Sequence, residues 1–361
     1  MTETPLAIAD APDRLTPEWL TAALRGAGVI DGTVVDTSIT PVGTGQMCDS
    51  VRIALTYDSD TGALSTLVAK LPAADETSRA TAVALRNYEK EVRFYQELAP
   101  ALDVRTPHVF HAALDPSLSS FVLLLEDLAP ATVGDQISGC TVAEAHRAIA
   151  ELTRLHAPRW GDTSLDQFTW LVGTTSGGDG ASVSSVLPLL WAGFQQRYDD
   201  RVDATMRAAG DHFFGNLAGW MAQRSTPRTI THGDYRLDNL LFHPDRDEVA
   251  VVDWQTCGLG SGAADAAYFV GAGLIPDDRR AHEDALVHEY HARLADAGVN
   301  DYTLDDCWTD YRRGAWSGVL MAVGAAMMVE RTDRGDEMFL TMLERHAHQT
   351  ADLDAATLIE G

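Results

Sequence analysis

The stretch THGDYRLDNLLF, residues 231–242, packs two carboxylates (Asp234 and Asp238), an amide (Asn239) and a histidine (His232) directly against the apolar run Leu240, Leu241, Phe242. HPDRDEVAVVDWQ follows, and Val249–Val252 can return beside Leu240–His243 as a hairpin around the loop Pro244–Glu248. Pairing His243 with Val249 sets Asn239 opposite Asp253, so a carboxylate and an amide oxygen share the mouth of the hairpin. Hard oxygen donors of this kind hold Mg²⁺ beside a nucleotide, with water and phosphate completing the shell. Asp234, on the loop just before, is expected to be free to act as a base. A base Asp five residues before a metal-binding Asn, with a second metal Asp at the end of a strand, is the phosphoryl-transfer pattern.

The N-terminal half supplies the remaining parts of that pattern. All 27 basic residues except Lys70 and Lys90 are Arg, so a lysine retained at the end of LSTLVAK points to a need for a compact ammonium that a planar guanidinium does not imitate. Glu91 can pair with Lys70, although a purely structural ion pair is the alternative. Gly43 and Gly45 in PVGTGQMCDS lie between two strands, where backbone amides can approach phosphate oxygens with no Cβ in the way.

The elements that must position these residues are legible in part. LTPEWLTAALRGAG reads as a helix with Thr16 as N-cap, Pro17 at its first position and Gly26 or Gly28 as its stop. Val51, Ile53, Leu55 and Tyr57 alternate with Arg52, Ala54 and Thr56, which is strand periodicity with one buried face. A turn over DSDTGA leads to a strand ending at Lys70. Leu85, Tyr88, Val92 and Tyr95 then recur at helical spacing, predicting one long helix that stops at Pro100. SSFVLLLEDLAP is a buried strand running into a polar corner. From Thr141 onward the pattern is helical, with a Gly- and Ser-rich surface loop over 173–185 and two helices beyond Asp305. AHEDALVHEYH is no HExxH zinc motif, because Ala292 stands where the second His belongs, and it reads as a solvated helix face.

Composition narrows the function class. The formal net charge of −26 argues against nucleic acid or an anionic membrane as partner. The longest apolar run, Gly318–Val329, falls short of the ~20 residues that a bilayer demands. The opening residues lack a secretory pattern, so a cytoplasmic protein is expected. Four scattered cysteines, Cys48, Cys140, Cys257 and Cys307, form no metal or redox motif.

Taken together, EDL, HGDYRLDN and VVDWQ resemble the aminoglycoside phosphotransferase and choline kinase-like group of protein-kinase-fold enzymes, most nearly its ecdysteroid kinase-like branch. The resemblance covers roughly residues 15 to 345. It implies an α+β, two-lobe fold: residues 1–125 as a small antiparallel-sheet lobe with one long helix, and 126–361 as a larger, mainly helical lobe. It implies transfer of the ATP γ-phosphate to a hydroxyl of a small molecule, with Mg²⁺ as cofactor and no protein partner. Asp234 would be the catalytic base, Asn239 and Asp253 the Mg²⁺ ligands, and Lys70, held by Glu91, the contact to the α- and β-phosphates. Gly43 and Gly45 would belong to the phosphate loop, where Cys48 replaces a third glycine, and the backbone of Glu126 to Leu128 would receive adenine. His232 resembles a packing histidine of the catalytic loop, and Asp265 a carboxylate that braces it. Arg236 and Asp238 read as a mutual salt bridge or a cap. Trp160, Trp170, Trp191 and Trp316 are candidates for an acceptor-binding wall or for core. The alternative function is a nucleotide-binding scaffold or sensor without turnover.

Overall fold

The computed structural model describes residues 6–43, 47–59, 64–171, 180–222 and 227–359, with the backbone alone for 180–185. The chain divides into two compact units, one of residues up to 100 together with 106–129, the other of 101–105 together with residues from 130 onward.

The first unit is a five-stranded antiparallel sheet in the order β1-β2-β3-β5-β4, formed by β1 (Val34–Pro41), β2 (Cys48–Tyr57), β3 (Thr66–Pro72), β4 (Val109–Leu114) and β5 (Phe121–Glu126). Helix α1 (Pro17–Gly26) starts on Thr16, whose hydroxyl accepts the Trp19 amide. It lays Leu20 and Leu24 onto the sheet face that carries Ile53, Leu67, Ala69, Leu71, Val122 and Leu124. Each such fully buried leucine is worth about 1.5–3 kcal/mol. Because side chains alternate along a strand, Lys70 emerges from β3 on the opposite face. The strand runs two residues past Lys70, to Pro72, rather than ending at it.

The expected long helix is broken. Helices α2 (Glu76–Ala84) and α3 (Asn87–Arg93) are separated at Arg86, which adopts φ 59, and α3 passes into a π-helical turn at Phe94–Leu98. A left-handed residue other than glycine costs about 1–2 kcal/mol, but it frees the phase of α3 from that of α2. Tyr88, Glu91 and Val92 thereby all turn inward. The Tyr88 hydroxyl donates to the Met47 carbonyl and accepts the Ala73 amide, and its ring packs 4.6 Å from Phe121.

The second unit holds a three-stranded sheet, β6 (Thr132–Val133), β8 (Leu240–Phe242) and β9 (Val249–Val251), and a two-stranded one, β7 (Thr229–Thr231) with β10 (Gly258–Gly260). Around them lie α4 (Val142–His156), α5 (Gly180–Arg197), α6 (Ala204–Gly215), α7 (Leu217–Ala222), α8 (Gly262–Gly273), α9 (Pro276–Asp296), α10 (Leu304–Gly314), α11 (Trp316–Met328) and α12 (Asp333–Asp352). Three helices follow residue 303 rather than two, and the backbone is already helical from Gly180, inside the expected surface loop. Helix α4 begins with a capping box between Thr141 and Glu144. Among the described residues no helix is long and apolar enough to cross a membrane.

Trp170, Trp191 and Trp316 are core residues rather than a binding wall. Trp191 stacks between Phe194 and Phe214, Trp316 lies parallel to Phe213 at 5.6 Å, and all three are at most 5% exposed. The face of α9 is not uniformly solvated either: Glu283 turns inward, where it accepts from Arg279 and Tyr311.

Candidate active site

In the second unit, β7 delivers His232 and β10 leads into α8; their antiparallel pairing sets the exit of β7 at Thr231 beside the entry of β10 at Gly258. Asp265, in the first turn of α8, accepts the His232 amide at 2.6 Å and the Gly233 amide at 3.1 Å. His156 Nε2 approaches the same carboxylate at 3.3 Å. The expected brace is thus present as a two-amide grip on the loop. Gly233 adopts φ 80, and a Cβ there would stand 2.6 Å from the Thr256 carbonyl oxygen. His232 is fully buried; its Nε2 donates to the Val252 carbonyl, its Nδ1 accepts the Asp234 amide, and its ring packs on Trp254. That is the packing role expected of it.

Asp234 is not free. Its Oδ1 accepts the Tyr268 hydroxyl at 2.6 Å, and its Oδ2 accepts Arg236 Nε at 3.0 Å and Asn239 Nδ2 at 3.1 Å. Arg236 continues to Asp238 Oδ2 at 2.9 Å, and Asp238 is gripped from α12 by both terminal nitrogens of Arg334 and from the backbone by the Gln136 amide. Burial alone would raise the Asp238 carboxyl, but the Arg334 hydrogen bonds and the Arg236 charge outweigh it and hold the group below the ordinary range. Burial likewise opposes the charge of Arg236, and the neighbouring Asp234 more than restores it. The Arg236–Asp238 salt bridge expected from the sequence is therefore one link of a chain, Asp234–Arg236–Asp238–Arg334.

The hairpin register differs from expectation by one residue. Leu240 faces Val251 and Phe242 faces Val249, the His243 amide donates to the Glu248 carbonyl, and Asn239 lies opposite Val252, whose amide donates to the Asn239 carbonyl. This register opposes buried apolar residues in pairs, which is what selects it. Asp253 consequently falls beyond the ladder, in a left-handed conformation at φ 67 that Asp tolerates. The amide nitrogen of Asn239 is engaged by Asp234, through both its carboxylate and its carbonyl oxygen, a contact that leaves Asn239 Oδ1 unused. Asn239 and Asp253 are both hard-oxygen donors, a set that fits Mg²⁺ when phosphate oxygens and water complete the shell. Among the described residues no cluster of three or more His, Cys, Asp or Glu forms a self-sufficient metal site.

In the first unit, Lys70 Nζ lies 2.6 Å from Glu91 Oε1, and both side chains are buried. Glu126 ends β5; its own amide donates to the His108 carbonyl, and its carboxylate accepts the His108 amide. The Glu126 amide is thus already engaged within the sheet. Asp127, the next residue, is held by Arg52 through two hydrogen bonds of 2.7 and 3.0 Å. Gly43 takes φ 75 with open space where a Cβ would be, a conformation open to glycine at little cost. Gly45 lies outside the described residues. Cys48 is the first residue of β2, buried and paired with Pro72.

The sequence reading missed Tyr268 and Arg334. Tyr268 left a faint signal, lying three residues after Asp265 and so on the same helical face. Arg334 left none, being 96 residues from its partner.

The Phosphotransferase enzyme family (APH) matches residues 49–316, and the chain belongs to that family. Over 54 residues, 15% of its length, the chain is 50% identical to acyl-CoA dehydrogenase family member 10 of Mus musculus, of which that stretch is 5%. It thus spans a small fraction of the curated relatives that it matches. Among solved structures it resembles the GDP complex of aminoglycoside 2'-phosphotransferase-IIIa, at 12% identity over 92% of this chain and 100% of that one, with a TM-score of 0.52. It also resembles the ethanolamine kinase Pv091845 of Plasmodium vivax, at 10% identity over 86% of this chain and 81% of that one, with a TM-score of 0.51. These likenesses establish the protein-kinase-like fold, mixed helix and antiparallel sheet, that the resemblance implied.

Proposed function

We propose that this enzyme transfers the γ-phosphate of ATP to a hydroxyl of a small molecule, with Asp234 as the base. The observation that carries this reading is the fixed loop around Asp234: Asp265 holds the backbone on its N-terminal side while Asn239, five residues on, donates to the same Asp234 carboxylate. Asp234 orients the acceptor hydroxyl and takes its proton as the oxygen bonds to phosphorus; the bond from phosphorus to the bridging oxygen breaks and ADP departs. Asn239 and Asp253 would hold Mg²⁺, which when bound neutralises phosphate charge. Lys70, steadied by Glu91, receives the α- and β-phosphates, and Gly43 leaves room for a phosphate oxygen near its amide. In this reading the first unit serves the nucleotide and the second serves the acceptor.

Within this proposal, the motifs EDL, HGDYRLDN and VVDWQ favour the ecdysteroid kinase-like branch of the family. The names of its likenesses suggest the acceptors to try: an aminoglycoside, ethanolamine and, from the acyl-CoA dehydrogenase relative, a hydroxyacyl thioester. The deciding experiment is transfer of labelled γ-phosphate from ATP with Mg²⁺ into those alcohols and a metabolite extract. Product that vanishes in Asp234→Asn supports the proposal. Tight ATP binding with no transfer favours the scaffold reading, and no ATP binding overturns both.

A further inference from the structure

A carboxylate offers about four lone-pair positions to donors. Three at Asp234 are filled, and unequally: Oδ2 carries Arg236 Nε and Asn239 Nδ2, whereas Oδ1 carries the Tyr268 hydroxyl alone. The side chain keeps 17% of its surface exposed, and among the described residues the Tyr268 hydroxyl is the one donor shown on Oδ1. From this asymmetry we infer that the acceptor hydroxyl meets Asp234 at Oδ1, and that Tyr268 is the positioning residue that turns Oδ1 toward it. The inference rests on the reading of Asp234 as the base and adds to it which oxygen reacts and what aims it.

Tyr268 is built for that task. It stands one turn after Asp265 on α8, so a single helix holds the loop backbone through Asp265 and the Asp234 side chain through Tyr268. Its ring stacks on His346 at 5.5 Å and 18°. His346 is fixed in turn by a 3.1 Å contact between Nδ1 and Gln349 Oε1, and by Gly318, where any Cβ would come within 2.1 Å of the imidazole. Burial and the Asp234 charge keep the phenol protonated far above neutral pH, so it always donates. At only 2% exposure Tyr268 does not reach the acceptor itself; it acts through Asp234.

Tyr268→Phe removes one donor and keeps the ring. The charged groups facing Asp234 are then Arg236 alone on the loop, with Asn239 as the remaining neutral donor and His232 on the backbone amide. The test uses the full chain: steady-state transfer is measured in wild type and Tyr268→Phe with ATP, Mg²⁺ and the alcohol panel named above, and unfolding temperatures are recorded beside it. We expect kcat to fall about tenfold while KM for ATP and the unfolding temperature stay unchanged. A loss carried by KM for ATP with kcat unchanged, or a kcat that falls only together with the unfolding temperature, overturns the inference. If wild type transfers phosphate to none of the alcohols, the base reading falls and the inference falls with it. Transfer that is lost in Asp234→Asn but untouched in Tyr268→Phe overturns the inference alone.

Discussion

Arg334 of α12 holds Asp238, in the loop that carries Asp234, through both carboxylate oxygens, at 2.9 and 3.0 Å. The same carboxylate accepts from Arg236, which reaches Asp234. A planar guanidinium locks a carboxylate in orientation as well as charge, so the grip of Arg334 sets where Asp238 holds Arg236. Arg334 is 42% exposed, and its removal costs little stability. Arg334→Ala is expected to lower phosphate transfer roughly tenfold, about 1.4 kcal/mol of barrier, with Arg334→Lys intermediate. In a double-mutant cycle with Asp238→Asn the two losses should fall short of adding, since each breaks the same chain. Additive losses in the steady-state rates would mean that the link carries no coupling.

Gly233→Ala tests the loop backbone. The substitution meets both a φ of 80 and a Cβ position 2.6 Å from the Thr256 carbonyl oxygen, which belongs to backbone and cannot swing aside. The left-handed conformation alone costs about 1–2 kcal/mol. Relief of the contact shifts the peptide that leads into Asp234, and a misplacement of about 1 Å at a reacting group costs on the order of 100-fold in rate. Thermal unfolding and transfer rate should both fall, with the rate falling further than the stability loss alone explains.

Much of this arrangement was legible in the sequence, and the failures have physical causes. The Thr16 cap, the alternation from Val51 to Leu55, the Lys70–Glu91 pair and the Asp265 brace follow from local pattern or from motif. The hairpin register failed because a loop of four residues and one of five are equally acceptable turns; opposing Phe242 to Val249 and Leu240 to Val251 decided it. The break at Arg86 was invisible because arginine is a good helix former, and only the inward demands of Tyr88 and Glu91 favour a left-handed residue there. The freedom of Asp234 was misjudged because two of its three donors, Arg236 and Asn239, are near in sequence but declare no direction, and the third, Tyr268, arrives from a helix 34 residues away.

Lys70 and Glu91 form a buried pair, and breaking one is costlier than its net contribution suggests. Lys70→Met takes the ammonium from a carboxylate that is 1% exposed, and a destabilisation of about 3 kcal/mol is expected. Adding Glu91→Leu should recover most of that stability, since two apolar groups replace two desolvated charges. Neither variant should recover phosphate transfer, because the ammonium proposed to receive the α- and β-phosphates is missing from both. Denaturant midpoints and transfer rates of the single and double variants separate the structural effect from the catalytic one.

His346 makes stability pH-dependent in a defined window. Burial pushes its imidazole from the ordinary 6.5 down to about 4, with Gln349 opposing and the charges of Arg279 and Arg345 assisting. In the unfolded chain the same group protonates near 6.5, so between these values the unfolded state binds more protons. Stability therefore rises with pH across that interval. The contribution is complete above about pH 6.5 and is lost as pH falls toward 4, on the order of 3 kcal/mol in all. His346→Gln should be the less stable protein at pH 7, through lost stacking on Tyr268, while its disadvantage shrinks as pH is lowered from 6.5 to 4. The difference curve isolates His346 from the carboxylates held low by arginine, such as Asp238 and Asp352, whose contributions are lost at lower pH and are common to both proteins. A difference in unfolding free energy that stays constant from pH 7 to pH 4 would mean that the folded imidazole takes up its proton over the same range as the unfolded chain.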